Sequence, residues 1–199
     1  MKKYFYIFRH GETDYNQKGI CQGSLDIPLN ENGLGQAREL LNKLKDKKIE
    51  IIYSSDLKRA RKTAEILSEN MKIPIVLDER LREFNLGEAE GLTKLEAIEK
   101  FGIETWDNFR SYNIAGNPVG FPGGETQVDV LKRTLSFLED LTNQSTVRHM
   151  AISTHGGILR NIIHHFLPPK SEPIPIPNCV LYLLRFTAPG TWDVEGPID

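Results

Sequence analysis

The stretch YFYIFRHGET, residues 4 to 13, joins a hydrophobic strand pattern to a polar site. Residues 4–8 are aromatic or β-branched, a composition typical of a buried strand. The chain then changes abruptly to Arg9 and His10, followed by Gly11. In open α/β sheets, ligands bind beyond the carboxyl ends of the strands. The stretch therefore predicts a buried strand that delivers a guanidinium group and an imidazole to a ligand site.

Strand and helix patterns alternate along the rest of the chain. Further strands are predicted over 49–53, 75–77, 150–153 and 179–186. Helices are predicted from an N-cap at Asn30, from an N-cap at Ser55 or Asp56, from a Thr93–Glu96 capping box toward Phe101, over 125–141, and from Gly156 and Gly157 through Phe166. The segments 116–124 and 168–177 are predicted to be connectors. This alternation indicates an α/β fold, a three-layer sandwich with a mostly parallel central sheet and helices on both faces, and we assign residues 1–199 to one domain.

The helical patterns also predict which side chains are buried. The expected inward stripes are Leu34, Ala37, Leu41 and Leu44 in one helix, Leu57, Ala60, Ala64 and Leu67 in the next, and Val128, Leu131, Leu135 and Leu138 in the long one.

Composition and charge restrict the class of protein. The chain is 39% hydrophobic and 26% charged, as expected for a soluble globular protein. A net charge of −2 argues against nucleic acid or an anionic membrane as partner. No apolar run reaches the roughly 18 residues that span a bilayer, and the one before Arg9 is too short for a signal peptide. We expect a cytoplasmic protein whose partner is a small molecule, and the sequence specifies no oligomeric state.

Basic side chains follow three of the predicted strands. Arg9 and His10 follow the first strand, Arg59 comes shortly after the second, and His155 follows the late strand. Parallel strands share their carboxyl edge, so we expect a cationic pocket there. A phosphomonoester carries about −1.5 to −2 charges, and guanidinium groups bond its oxygens in pairs. Glycines that open a helix, such as Gly156, add accessible backbone N–H groups.

Phosphoryl transfer in such a pocket needs a nucleophile. No serine or cysteine lies in a nucleophile elbow, and Cys21 and Cys179 have no metal-ligand spacing, so we expect both to be structural thiols. A neutral imidazole is competent. Neighbouring arginines should lower the pKa of His10 and keep its attacking nitrogen unprotonated.

Short blocks in order along the chain resemble the histidine phosphatase (phosphoglycerate mutase-like) superfamily, from residue 4 to about 185. They are residues 9–13 with Asn16, 22–23 with 26–29, Gly33 with 36–37, 55–57 with 59–60 and 63–64, 81–83 with Gly87 and 90–91, 122–126, and 155–157. Residues 84–87 and 122–125 are similar to the phosphatase branch, which includes broad-specificity and α-ribazole phosphatases.

The resemblance implies a role for each matching residue. His10 would become phosphorylated, and Arg9, Arg59 and His155 would bind the phosphoryl oxygens. Glu83 would be the general acid for the leaving oxygen and then the base for water. Further phosphate or substrate contacts are expected from Asn16, Gln22, Gly23, Gly156, Lys94 and Arg110. The resemblance implies no metal and no cofactor, except 2,3-bisphosphoglycerate if the protein were a mutase.

Several of these residues have structural alternatives. Glu83 could form a salt bridge with Arg80 or Arg82, and loop amides such as those of Asn16 and Gln22 often only close turns. Other residues are expected to be structural, namely Glu12, His149, His164 and His165. The last two are neighbours on a helix and point in different directions, so they do not suit one metal ion.

Three functions fit the pattern. The first is a phosphatase, the second a cofactor-dependent phosphoglycerate mutase, and the third a non-catalytic binding module. No expected catalytic position is replaced, which disfavours the third. Leu86 stands where mutases resemble one another in carrying a tyrosine, and Arg110 stands alone where they carry paired arginines. We therefore favour a phosphatase, with a substrate lid formed by the loop after Arg9 and residues 84–121, and with Lys94, Arg110, Trp106 and Phe121 as its contacts.

Overall fold

A computed structural model describes residues 1–110, 120–168, 171, 174–188 and 190–198. Within them the strands are β1 (Lys3–Arg9), β2 (Ile51–Ser54), β3 (Ile75–Leu77), β4 (His149–Thr154), β5 (Leu181–Ala188) and β6 (Thr191–Glu195). They form one sheet in the order β3-β2-β4-β1-β5-β6. β1 to β4 run parallel to one another, while β5 is antiparallel to β1 and β6 to β5. The predicted mostly parallel sheet is confirmed.

Seven helices surround this sheet in the described residues. They are α1 (Asp14–Lys18), α2 (Glu31–Leu44), α3 (Lys58–Met71), α4 (Lys94–Phe101), α5 (Ile103–Arg110), α6 (Gln127–Gln144) and α7 (Gly156–Phe166), with 3₁₀ turns at Glu79–Leu81 and Gly87–Ala89. None of these helices is both long enough and apolar enough to cross a membrane.

The central strand β1 shows why the sheet is covered on both faces. Successive side chains of a strand point to opposite faces. Phe5 and Ile7 lie in one buried cluster with residues of α6 and α7, whereas Tyr6 and Phe8 lie in another with residues of α2 and α3. All four side chains are buried. The three-layer α/β sandwich follows directly from this two-sided strand and is confirmed.

The predicted helix starts are confirmed at three positions, including Gly156 of α7, and wrong at two. Asn30 caps α2, and the capping box of Thr93 opens α4. α3 begins after Leu57 without a side-chain cap, because Ser55 and Asp56 are engaged elsewhere. α6 begins at Gln127, because Thr126 and Asp129 form a capping box there.

The capping register of α6 also changes its buried face. Val128 is 40% exposed rather than inward, and Val130 is buried in its place. In α2, Leu40 is buried while Leu34 and Leu41 are only partly so. An α-helix has 3.6 residues per turn, so each residue is rotated by about 100° from the one before it. An error of one or two residues in the predicted buried positions therefore moves the apolar stripe to another side of the helix.

Three short elements were not predicted. α1 has five residues, α5 follows Gly102, and β6 is an edge strand in which only Trp192 and Val194 pack against the core. β5 begins at Leu181 rather than 179, because Cys179 has a positive φ of 53°. The predicted connector 116–124 is an irregular turn over 120–124, and 116–119 lie outside the described residues, as do parts of 168–177.

Candidate active site

A cavity of about 360 Å³ opens beyond the carboxyl ends of β1 and β4. The residues that meet where these strands end, here called the phosphate end, are Arg9, His10, Arg59, Glu83, Gly156 and Gly157. Asn16, Gln22 and Gly23 lie beside them, and the apolar wall consists of Ile20, Cys21, Phe84, Leu86, Trp106, Phe109 and Ile176. Arg110, Gln127, Arg160, Asn161 and His164 complete the described lining.

His10 is buried and held in one tautomer. Its backbone N–H donates to the carbonyl of Thr154 at 3.0 Å, and its side chain is 2% exposed. Nδ1 lies 2.6 Å from the carbonyl oxygen of Gly11, which can only accept, so Nδ1 carries the proton. Burial holds the pKa of His10 well below its ordinary value, and the charges of Arg9 and Arg59 lower it further. The ring is therefore neutral near pH 7, with a lone pair on Nε2.

Asn178, in the turn before β5, supports the backbone of His10. Its amide nitrogen donates to the carbonyl of His10 at 3.1 Å and to Oδ1 of Asn16 at 3.3 Å. The backbone N–H of Cys179 donates to the same carbonyl of His10 at 3.3 Å. Sequence reasoning missed Asn178, because an asparagine in a turn is common and carries no functional signal.

Arg59 is 1% exposed and fixed at three nitrogens. Nη1 donates to the carbonyl of Leu25 at 2.6 Å, and Nη2 donates to the carbonyl of Gly23 at 2.7 Å. Nε donates to Nδ1 of His155 at 3.2 Å. Burial lowers the pKa of Arg59 to about 10, so the group is still cationic near neutral pH. Two N–H bonds of the guanidinium fork remain for a ligand.

His155 lies beside His10 but uses both of its ring nitrogens within the protein. Nδ1 accepts from Arg59, so Nε2 carries the proton and donates to Oγ of Ser55 at 2.8 Å. Burial, with the charge of Arg59 next, holds the pKa of His155 well below its ordinary value. The ring centroids of His10 and His155 are 5.1 Å apart, yet His155 does not line the cavity. The structure therefore gives His155 contacts with Arg59 and Ser55, and its expected contact with a phosphoryl group stays a prediction.

Arg9 presents a buried nitrogen to the cavity. Nη1 donates to the carbonyl of Ile176 at 2.6 Å. Nε is buried and has no hydrogen-bond partner among the described residues. A Cβ on Gly156 would lie 3.3 Å from this Nε, so the glycine lets the backbone come close. An unsatisfied buried donor costs about 1–3 kcal/mol, and an anion in the cavity would remove that cost.

Glu83 is held by two backbone amides, that of the next residue and one at the start of α7. Oε1 accepts from the N–H of Phe84 at 3.0 Å, and Oε2 accepts from the N–H of Gly157 at 3.0 Å. A Cβ on Gly157 would lie 2.5 Å from Oε1, so only glycine permits this approach. The carboxyl group therefore faces the same cavity as His10.

The alternative of a salt bridge for Glu83 is wrong. Arg80 pairs with Asp78 at 2.7 Å, and Arg82 pairs with Asp56. The second pair also explains why Asp56 does not cap α3.

A clamp from α6, missed by sequence reasoning, holds the segment that carries Glu83. Nη1 of Arg133 donates to the carbonyls of Arg80 at 2.7 Å and Arg82 at 2.8 Å. Nη2 donates to the carbonyl of Glu83 at 3.2 Å. Glu125 accepts from Arg133 at 2.9 and 3.0 Å, which fixes the guanidinium plane. Arg133 and Glu83 are 50 residues apart, and no local pattern joins them.

Asn16 and Gln22 both close turns and line the cavity. Thr13 donates through Oγ1 to Oε1 of Gln22 at 2.9 Å, and its N–H donates to Oδ1 of Asn16 at 3.2 Å. With both oxygens engaged, the amide nitrogens are the groups left for a ligand. Gly23 also lines the cavity, and its positive φ of 52° suits glycine.

The remaining predicted residues divide between the cavity and other places. Arg110 and Trp106 line the cavity, with Arg110 the exposed last residue of α5. Lys94 is exposed at the first position of α4 and does not line it, because α4 points that residue to solvent. Phe121 is 3% exposed in a cluster with Trp106 and likewise does not line the cavity. Residues 111–119 of the expected lid lie outside the described residues.

Residues expected to be structural lie in two environments. Glu12 accepts from the side chain of Asn30 at 2.9 Å, and His149 stacks on Tyr4, so both serve packing. His164 lines the cavity instead, as do Arg160 and Asn161, none of which was predicted. Their spacing of four residues from Gly156 and Gly157 is the signal that could have identified Arg160 and Asn161. In the described part of the chain, no three His, Cys, Asp or Glu residues are grouped as metal ligands.

Comparison with known proteins gives a consistent result. A family model described as the histidine phosphatase superfamily (branch 1) matches residues 5–197. The chain is 41% identical over 166 residues to a putative phosphoserine phosphatase 2 of Hydrogenobacter thermophilus, covering 81% of this chain and 77% of that one. It is 33% identical over 192 residues to a phosphoglycerate mutase-like protein 4 of Arabidopsis thaliana, covering 95% and 82%.

Its fold is also similar to a solved structure. A mycobacterial glucosyl-3-phosphoglycerate phosphatase, in complex with VO3, superposes with a TM-score of 0.83 at 27% identity, covering 97% of each chain.

Proposed function

This chain belongs to the histidine phosphatase superfamily (branch 1), and on that premise we propose that it hydrolyses small phosphomonoesters through a phosphoryl group carried on His10. One observation carries the proposal: the neutral ring of His10 keeps a free Nε2 in a cavity that also presents Arg9 and Arg59. The relatives with phosphatase names support the reaction type.

In the first step, Nε2 of His10 attacks phosphorus, and the bond from phosphorus to the leaving oxygen breaks. A proton from Glu83 goes to that oxygen, so the product leaves as an alcohol. The unpartnered Nε of Arg9 and the two remaining N–H bonds of Arg59 meet the charge that builds on the phosphoryl oxygens. Fixed donors of this kind stabilise the transition state without reorganising.

In the second step, water attacks the phosphorus atom carried on Nε2 of His10. Glu83, now a carboxylate, takes a proton from the water, and the bond between Nε2 and phosphorus breaks. Inorganic phosphate leaves and neutral His10 is restored. Asn178 holds the backbone of His10 and the carbonyl of Gly11 holds its ring through both steps, so that Nε2 returns to the same position.

Rapid quenching tests the covalent step. The wild-type protein, incubated with ³²P-labelled phosphomonoester, should carry a label that is lost in acid and stable in base. His10→Ala should carry none and should release no phosphate, while its circular dichroism spectrum matches that of the wild type. A base-labile label, or turnover retained in His10→Ala, would contradict the proposal.

The same reaction distinguishes a phosphatase from a mutase. A mutase passes the phosphoryl group to a substrate hydroxyl and must keep water out. Leu86, at the position where a tyrosine would be expected in a mutase, contributes to the apolar wall of the cavity. Phosphate release should exceed transfer between phosphoglycerate isomers, with or without 2,3-bisphosphoglycerate. The reverse ratio would favour the mutase.

We also propose that turnover needs no metal ion or other cofactor. Arg9 and Arg59 supply the positive charge at the phosphoryl group that a divalent cation supplies in other phosphoryl-transfer enzymes. Activity should survive dialysis against EDTA unchanged, and restoration by added Mg²⁺ would contradict this.

We also propose that the protein is located in the cytoplasm. Cys21 and Cys179 are both free, and reducing compartments keep thiols in that state. Fractionation of the source cells, with antibody detection, tests it.

A further inference from the structure

The backbone that carries Glu83 is irregular. It runs between the 3₁₀ turns Glu79–Leu81 and Gly87–Ala89, and the residues between these turns belong to no helix or strand. The carbonyl groups of such a segment still need hydrogen-bond donors. That of Leu81 accepts from Oγ1 of Thr154, at the end of β4, at 2.9 Å. The segment therefore depends on side chains from other elements for its hydrogen bonds.

Arg133, on α6, supplies most of these donors. Nη1 donates to the carbonyls of Arg80 and Arg82, and Nη2 donates to that of Glu83. Nε and Nη2 donate to the two carboxylate oxygens of Glu125. A guanidinium group has five N–H bonds, and these contacts use all of them. Because no donor is left for a ligand, Arg133 serves the backbone rather than the substrate.

Glu125, in the turn before α6, extends the same support to Asn85. Its Oε2 accepts from the N–H of Asn85 at 2.9 Å, and its own N–H donates to the carbonyl of Asn85 at 2.8 Å. The two parallel bonds between a guanidinium fork and a carboxylate fix their relative orientation. Arg133 and Glu125 therefore hold the backbone on both sides of Glu83.

The carboxyl group of Glu83 depends on this backbone for its position. Its two oxygens accept from the N–H groups of Phe84 and Gly157, so a displaced backbone at residue 83 would break both bonds. A general acid must lie within hydrogen-bond reach of the oxygen that it protonates. A displacement of about 1 Å can cost on the order of 100-fold in rate.

We propose that Arg133 and Glu125 are positioning residues for the general acid and hold Glu83 where its proton reaches the leaving oxygen. This role rests on the proposed phosphatase function and assigns to the acid step two residues that do not line the cavity. The proton passes from Glu83 to the leaving oxygen as the bond between that oxygen and phosphorus breaks. The two residues are therefore needed most when the leaving group departs poorly without a proton.

Two esters with different leaving groups test this role. The alkoxide of O-phosphoethanolamine needs the proton, whereas p-nitrophenolate departs readily without one. Arg133→Met should lower kcat/KM about 10- to 100-fold for O-phosphoethanolamine and less than about threefold for p-nitrophenyl phosphate. Because kcat/KM covers only the steps up to departure of the leaving group, the later attack of water does not enter the comparison. Glu83→Gln should show the same selectivity with a larger loss.

Further variants separate positioning from general support of the fold. Glu125→Gln turns one acceptor into a donor that faces an N–H of Arg133, so the same selective loss is expected. Arg133→Lys offers three donors in place of five and should recover part of the rate on O-phosphoethanolamine. Added to Glu83→Gln, Arg133→Met should lower kcat/KM little further, because the acid that Arg133 positions is already gone.

Arg185→Met is the matched control. Arg185 is a partly buried arginine that pairs with Asp193 and Glu195 of β6 and does not line the cavity. Its replacement removes an ion pair of the same kind at a distance from Glu83. The ratio of kcat/KM between the two esters should therefore change less than about twofold.

The outcomes separate the two proposals. Equal losses on both esters in Arg133→Met and Glu125→Gln, or a fully additive loss in the double variant, would overturn the positioning role and leave the phosphatase intact. No phosphate release from either ester by the wild type would remove the proposed function and the positioning role with it. Thermal unfolding of each variant shows whether a loss is a loss of fold. If Arg133→Met does not fold, Arg133→Lys and Glu125→Gln decide the outcome.

Discussion

The two ends of the cavity are built in different ways. At the phosphate end, His10 and Arg59 are almost wholly buried, and each is fixed by several hydrogen bonds to distant parts of the chain. At the other end, here called the leaving-group end, Arg110 is the exposed last residue of a short helix, and Arg160 and His164 extend from one face of α7. The difference indicates that the groups proposed for the reaction belong to one buried network, whereas the other end is lined by side chains of α5 and α7. Variants of Arg59 and of its partners should therefore weaken turnover of all substrates alike.

Arg59→Lys should give the largest effect. Lysine keeps a positive charge but cannot reach Leu25, Gly23 and His155 together, and it offers no fork to the phosphoryl oxygens. Loss of one such donor typically costs about 10²- to 10³-fold in kcat. Steady-state kinetics should show the same factor for O-phosphoserine and O-phosphoethanolamine. A loss in kcat that differs between the two substrates would mean that the phosphate end also determines specificity.

The buried histidines His10 and His155 should also contribute to the pH dependence of stability. The pKa values of His10 and His155 lie well below 6.5 in the folded protein and near 6.5 in the unfolded chain. Below pH 6.5 the unfolded chain binds protons that the folded chain does not. The free energy of unfolding therefore decreases as the pH is lowered. Each residue contributes about 1.4 kcal/mol per pH unit until its folded pKa is reached.

Urea unfolding measures this contribution. Below pH 6.5, the free energy of unfolding of His10→Gln should change less steeply with pH than that of the wild type. The difference in slope should be about 1.4 kcal/mol per pH unit. An unchanged slope would mean that His10 is as easily protonated in the folded protein as in the unfolded chain.

Ser55→Ala should have a smaller effect. It removes the acceptor of the Nε2–H of His155 and leaves that buried donor unsatisfied, at a cost of about 1–3 kcal/mol in stability. Arg59 loses its fixed partner, so we expect kcat to fall about tenfold, equally for O-phosphoserine and O-phosphoethanolamine. Denaturant unfolding and kinetics measure the two effects. Full activity in Ser55→Ala would mean that Arg59 does not depend on His155.

Lys94→Met should have the smallest effect. Lys94 is exposed at the start of α4 and does not line the cavity. We expect kcat/KM to change less than twofold for every ester. A loss of tenfold or more would mean that Lys94 contacts the substrate.

Much of the phosphate end could be predicted from the sequence, because its residues follow strands directly. Arg9 and His10 end β1, and His155 follows β4, so the strand pattern alone places them at one edge of the sheet. The supporting residues could not be found this way. Asn178 and Arg133 act through hydrogen bonds that cross 168 and 50 residues of chain.

The length and burial of an element also decided whether it could be predicted. The strands with buried residues on both faces and the longer helices were predicted, whereas α1, α5 and β6 were missed. Short or half-exposed elements bury too few apolar residues to leave a clear periodic signal. The inward position expected for Val128 failed because the Thr126 capping box sets where α6 begins.

The regiochemistry of the phosphorylated protein tests the central claim most directly. Nδ1 of His10 carries a proton that it donates in a hydrogen bond to the carbonyl of Gly11. Only Nε2 therefore has a lone pair with which to attack phosphorus. Phosphorus-31 NMR of the trapped intermediate, with peptide mapping, should find the phosphoryl group on Nε2 of His10. A phosphoryl group on Nδ1, or on any other residue, would contradict the account.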